Sequence, residues 1–148
     1  MELRSAVVVA LAISITVVAG CGGGPIPTYP VRGKVTKADG APLADARVIF
    51  QMEGAVAAVD AVSPRGYTDK DGSYKLGTFE IADGAPAGKY QVTVIPRLPP
   101  ANRDAGIKAQ SPIDTKYLDF QASGLRFEVT TDASKNEYNF TVEPNKNL

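Results

Sequence analysis

From residue 31 onward apolar side chains recur at every second position, and this period constrains the fold more than any other feature of the chain. Val31, Gly33 and Val35 alternate with Arg32, Lys34 and Thr36. Alternation of this kind puts one set of side chains on each face of an extended segment, so a half-buried β-strand is predicted rather than a helix. The pattern returns at residues 46–52, with Ala46, Val48, Phe50 and Met52 on one face, and again at 90–95, 125–130 and 138–143. Two shorter extended pieces, 66–68 and 74–76, flank Asp69-Lys70-Asp71-Gly72-Ser73. Turn signals fall between the runs: Asp39-Gly40-Ala41-Pro42, Asp71-Gly72, Asp83-Gly84 and Ala87-Gly88. Strands with one apolar face each must bury those faces against one another. The expected fold is therefore all-β, an antiparallel Greek-key β-sandwich of about seven strands over residues 31–148.

Phe50, Tyr90, Phe127, Tyr138 and Phe140 all fall on inward positions of these strands, which makes them packing residues. A domain of this size buries about two-thirds of its unfolded-chain surface, so a core is feasible without disulfides or metal. Residues 55–62 are apolar enough for a turn of helix, but the segment is short and uncapped and reads as loop. From Arg97 to Lys116 there are three prolines, mixed charge and no alternation, so a long solvated loop is expected there.

Composition removes several classes of chemistry. Sixteen Lys and Arg balance sixteen Asp and Glu, and this zero net charge gives nucleic-acid binding no electrostatic support. Among 148 residues there is no histidine and one cysteine. That excludes Ser-His-Asp or Cys-His nucleophile activation, imidazole ligands, a disulfide framework and a cysteine-rich zinc site. No cofactor is called for by any motif.

The amino-terminal segment has its own logic. An uncharged apolar run from Ala6 to Ala19 follows Arg4 and ends at Gly20-Cys21. At about 15 residues it would be roughly 22 Å long as a helix, short of the roughly 30 Å hydrocarbon core, and it suits export better than permanent spanning. Val18-Ala19-Gly20-Cys21 resembles the lipobox of bacterial lipoproteins. The resemblance implies a diacylglycerol thioether on Cys21, cleavage before it with Val18, Ala19 and Gly20 as the peptidase recognition residues, and acylation of the new amino terminus. The expected organisation is a signal peptide over 1–20, a lipidated cysteine with a Gly/Pro tether over 21–30, and the sandwich beyond. Several acyl chains at about 0.8 kcal/mol per buried methylene would make such an anchor effectively permanent.

Three stretches of the body carry a second likeness. Gly33-x-Val35, Gly40-x-Pro42-Leu43-x-x-Ala46-x-Val48, then Thr68-Asp69-x-x-Gly72-x-Tyr74, then Pro86-x-Gly88-x-Tyr90-x-Val92 resemble the carboxypeptidase regulatory-like, or transthyretin-like, β-sandwich. The later Lys116-Tyr117, Ser123-Gly124-Leu125 and 136–140 resemble the ends of bacterial lipoproteins that carry this domain. The physical content of these motifs is structural, with Gly40 and Pro42 shaping a hairpin and Asp71-Gly72 closing a tight turn, and the resemblance implies an accessory or interaction module with no catalytic residue to carry over. Transthyretin relatives that hydrolyse hydroxyisourate rely on histidines, which this chain lacks.

Remaining constellations are weak. Asp69-Lys70-Asp71-Gly72 has alternate carboxylates that suit a calcium loop, but Gly77 and Phe79 stand where further acids would be needed, and an Asp-Gly turn is the better reading. Asp114 and Asp119 are paired-carboxylate candidates only by their nearness to the long loop. Asn139-Phe140-Thr141 matches a glycosylation sequon by chance, since Phe140 points inward. The sequence thus leads to a non-enzymatic lipoprotein held to a membrane of the cell envelope by its lipid, with an envelope protein as the expected partner. A carbohydrate-binding module is the alternative.

Overall fold

The computed structural model describes residues 26–54, 62–98 and 110–146. The export and lipidation motif at Val18, Ala19, Gly20 and Cys21, most of the apolar 55–62 stretch and the middle of the long loop lie outside these residues.

Seven strands form two sheets. They are β1 (Arg32–Lys37), β2 (Arg47–Met52), β3 (Arg65–Tyr67), β4 (Ser73–Lys75), β5 (Gly88–Ile95), β6 (Arg126–Val129) and β7 (Phe140–Val142). One sheet has the order β4-β1-β7 and the other β3-β2-β5-β6, so the chain changes sheet four times. This is the expected all-β sandwich, and all seven strands lie within the alternating runs or overlap them closely. One pairing departs from the antiparallel expectation: β1 and β7 run parallel, with Val35 opposite Phe140 and Lys37 opposite Val142. Alternation specifies which side chains face inward and is the same for either strand direction, so it could not have revealed this.

The inward faces meet as the period of two requires. Val31, Val35, Val48, Phe50, Tyr90, Val92, Val94 and Val142 are buried. Phe50 lies at the centre of an aromatic cluster, 5.7 Å from Tyr90, 6.1 Å from Phe127 and 6.3 Å from Tyr138, centroid to centroid. Phe127 and Tyr138 are only partly buried, because β6 and β7 are the adjacent open edges of the two sheets and their rings, 4.4 Å apart, seal the gap between them. The Tyr138 hydroxyl also donates to the Glu128 carbonyl across that gap. Buried Asn136 completes the seam: its Oδ1 accepts from the Thr130 N–H at 2.9 Å and its Nδ2 donates to the Thr130 carbonyl at 2.8 Å. The side-chain amide thus stands in for a backbone rung where the strands have already diverged.

The long segment expected to be solvated is anchored at its carboxyl-terminal end. Ile113 is fully buried and forms a bridge with Pro144, and the Asp114 N–H donates to the Glu143 carbonyl at 3.0 Å. A 3-10 turn at Thr115–Leu118 follows, and Tyr117 is buried with its hydroxyl accepting from the Glu143 N–H at 3.2 Å. β6 pairs with β5 only over Gly88–Gln91, so the other half of β5 is left open on that side. The returning chain fills the vacancy: the Ser123 hydroxyl donates to the Val92 carbonyl at 2.6 Å.

Candidate functional site

The outward positions of the three-stranded sheet build one continuous polar floor. Arg32 lies opposite Lys75 on β4 and forms a bridge with Glu137 on its other side, Lys34 lies opposite Ser73, and Thr36 lies opposite Thr141. These residues come from three strands remote in sequence, and only the sheet order brings them together. Glu80, Ile81 and Ala82 from the 77–84 loop and Tyr67 from β3 stand at the margin, and the floor and margin enclose an open groove of about 1190 Å³.

Electrostatics give the groove a bias. Arg32 Nε donates to Glu137 Oε2 at 3.1 Å, and the Thr36 and Thr141 hydroxyls are 3.1 Å apart. The Arg32 hydrogen bond, with a second from Asn139, holds the Glu137 carboxyl below the usual range, so it is ionised and satisfied. Lys34, Lys75 and Arg65 form no ion pair among the described residues. Like charges facing each other across a strand pair, as Arg32 and Lys75 do, are unfavourable for the sheet itself.

The wall is preformed. Asp83 gathers the 77–84 loop around its carboxylate: Oδ1 accepts from the Thr78 N–H at 2.6 Å, and Oδ2 accepts from Phe79 and Glu80 at 3.1 and 3.2 Å. Burial pushes the Asp83 carboxyl up, but the backbone donors together outweigh it and leave it below its ordinary value. The Thr78 hydroxyl donates to the Gly84 carbonyl at 2.6 Å, and Ala82 adopts a left-handed φ of 60°. Held in this way, Phe79 and Ile81 are 58% and 100% exposed.

Of the residues singled out in the sequence, Asp69 and Asn139 border the groove and the others have structural positions away from it. Gly40 takes a φ of 82° in a turn closed by the Lys37 N–H donating to Ala41, and Pro42 bridges Thr36 just beyond it. Asp71 and Gly72 lie in the β3–β4 connection, but the organising group there is Asp69, whose Oδ1 accepts from both Asp71 and Ser73 N–H groups at 2.9 Å. That carboxylate is engaged with its own backbone. Asp114 and Asp119 likewise do not converge: Asp114 accepts from Lys116 N–H at 3.0 Å, and Asp119 from Gln121 and Ala122 at 2.8 Å. Asn139 is exposed on the groove floor while Phe140 is buried. No cluster of three or more potential metal ligands occurs among the described residues.

No family model matches the chain and no curated protein matches it. Among solved structures, it is similar to BcpA, the major pilin subunit of Bacillus cereus, with 17% identity over 80% of this chain and 30% of the pilin, at a TM-score of 0.46. A variant of the same pilin gives the same values. It is also similar to a 9R-lipoxygenase from Cyanothece PCC8801, with 14% identity over 82% of this chain and 17% of that chain, at a TM-score of 0.38. The chain thus spans under a third of these proteins, and likenesses this distant bear on no function.

Proposed function

We propose that this chain is a lipid-tethered cell-envelope protein, related to the transthyretin-like sandwiches, whose β-sandwich is a non-catalytic interaction module with the groove on the β4-β1-β7 sheet as its contact surface. The observation that carries this reading is the groove floor itself. It presents Lys34 and Lys75 from two strands, neither of them in an ion pair among the described residues, beside the Arg32–Glu137 pair, and it is walled by a loop that Asp83 holds in shape. The carboxylates that could serve acid–base chemistry, Asp69, Asp83, Asp114 and Asp119, are occupied as acceptors for backbone N–H groups. The lipobox-like residues 18–21 supply the anchor and residues 22–30 the spacer.

Mass spectrometry of the chain extracted from its native membrane tests the anchor. The expected product begins at Cys21 with acyl chains attached, and a Cys21→Ser variant leaves the membrane once its signal is removed. A Cys21→Ser chain that stays bound overturns the anchor. A photocrosslinker at Asn139 tests the contact surface, with adducts expected in wild type and lost in a Lys34→Glu, Lys75→Glu double variant. Adducts indifferent to that charge reversal, or turnover of envelope substrates by the purified protein, overturn the module reading. A glycan in the same groove is the second reading, favoured by Tyr67, which is 66% exposed at the margin of a floor rich in hydroxyl, amide and charged groups. It requires saturable glycan binding that Tyr67→Ala abolishes.

A further inference from the structure

We propose that the 77–84 loop is a second membrane contact, in which Phe79 and Ile81 enter the interfacial layer of the bilayer that holds the acyl chains. This deepens the function proposed above and rests on its lipid anchor.

The point of entry of the chain fixes the geometry. Tyr29 and Ala85 exchange backbone hydrogen bonds, Tyr29 N–H to the Ala85 carbonyl at 2.8 Å and Ala85 N–H to the Tyr29 carbonyl at 3.0 Å. The loop is therefore stitched to the spacer itself. Positions 21 and 29 are eight residues apart, a reach of about 25–30 Å even when fully extended. The loop also lies at the end of the sandwich where β1 begins, because Lys75 at the end of β4 faces Arg32 at the start of β1. A lipid on Cys21 thus keeps this end, rather than the opposite one, near the bilayer.

The loop's chemistry suits an interface. Its internal hydrogen bonds to Asp83 satisfy the backbone while Ile81 is left wholly in water, so the fold gains nothing from burying that side chain. A rigid turn that displays an aromatic and an aliphatic side chain presents apolar surface to an interfacial layer without further ordering. Arg65, which bridges Gly77 at the start of this loop and forms no ion pair among the described residues, complements anionic headgroups. Glu80, between Phe79 and Ile81, is left at headgroup level.

The chain contains no tryptophan, so a single introduced one reports alone. The test uses full-length lipidated protein carrying Phe79→Trp, reconstituted in phosphatidylethanolamine and phosphatidylglycerol vesicles with brominated acyl chains. Leu118→Trp is the control, since Leu118 is exposed and its 3-10 turn is bound to Glu143 at the opposite end. Phe79→Trp is expected to shift to the blue and lose about half its emission, with Leu118→Trp unaffected and the quenching relieved by an added Ile81→Asp. Vesicles that float with the protein while Phe79→Trp stays unquenched, or while both reporters are quenched alike, overturn the membrane contact and leave the anchor standing. Protein that carries no lipid and does not float overturns both. Only lipid is present, so a protein occupant of the loop gives the unquenched result.

Discussion

Gly33 packs directly beneath Tyr138: a Cβ placed on the glycine would overlap the Tyr138 carbonyl, which also accepts a hydrogen bond from the Tyr74 hydroxyl at 2.9 Å. Three strands meet at this point, since Gly33 is on β1, Tyr74 on β4 and Tyr138 precedes β7. Burial, with a smaller contribution from Tyr138, pushes the Tyr74 phenol far above its ordinary value, so it is a permanent donor. Gly33→Ala must therefore separate β1 from β7 or expel the Tyr74 hydroxyl. The expected cost is about 1–3 kcal/mol or more, a fall in Tm on the order of 10 °C by thermal denaturation. An unchanged Tm would show that the backbone yields where the structure says it cannot.

The β3–β4 connection depends on a positive φ of 76° at Gly72, and a side chain there would also strike the Val35 carbonyl. Gly72→Ala is expected to destabilise by about 1–3 kcal/mol. Asp69→Ala, which frees the Asp71 and Ser73 N–H groups, is expected to cost roughly 1–2 kcal/mol. Chelators and added calcium are expected to leave the wild-type Tm in place. A calcium-dependent rise would mean that Asp69 serves a cation after all.

Thr93 is 1% exposed and its hydroxyl has no hydrogen-bond partner among the described residues. A buried hydroxyl without a partner costs roughly 1–3 kcal/mol by the record of protein substitutions. Thr93→Val keeps the shape and removes the unpaired oxygen, so urea denaturation is expected to show a higher midpoint with an unchanged slope. A loss of stability would mean that an unseen water satisfies the hydroxyl.

Acid should loosen the 77–84 loop through Asp83. Its folded pKa is lowered, so its contribution is fully present above its ordinary value of 3.8 and is lost as pH falls through the folded value. Asp132, Glu137 and Glu143 are lowered too, held by Ser134, Arg32 and Lys116 respectively, so acid weakens more than this loop. The comparison with Asp83→Asn isolates the loop. Hydrogen exchange at Phe79 and Glu80 is expected to be slow and pH-insensitive in its protection above about pH 5 and to lose protection below pH 3.8. In Asp83→Asn that acid-dependent step is absent. Identical acid profiles in the two proteins would remove Asp83 from the account.

What the sequence made legible was local. Alternation placed Val35, Val48, Phe50, Val92 and Val142 inward correctly, because facing is decided within each strand. It could not show that Lys75 and Glu137 flank Arg32, because sheet order is decided by pairings between segments far apart. The groove was therefore invisible, although Arg32 and Lys34 were plainly outward positions. The Asp83-Gly84 turn was visible; its effect on Phe79 and Ile81 depended on three backbone donors that only coordinates reveal. Thr115–Leu118 has no apolar periodicity to announce it, and its one local signal is Asp114, whose side chain accepts from the Lys116 N–H in an Asx turn.

The parallel partnership of the first and last strands has a kinetic corollary. Arg32 and Glu137 are 105 positions apart, so a chain made from its amino terminus leaves β1 with one flank open until the segment around Glu137 has appeared. Contacts of such long range are slow to form. Closure of the smaller sheet is thereby timed to the appearance of β7, and until then β1 is latched on its β4 side alone.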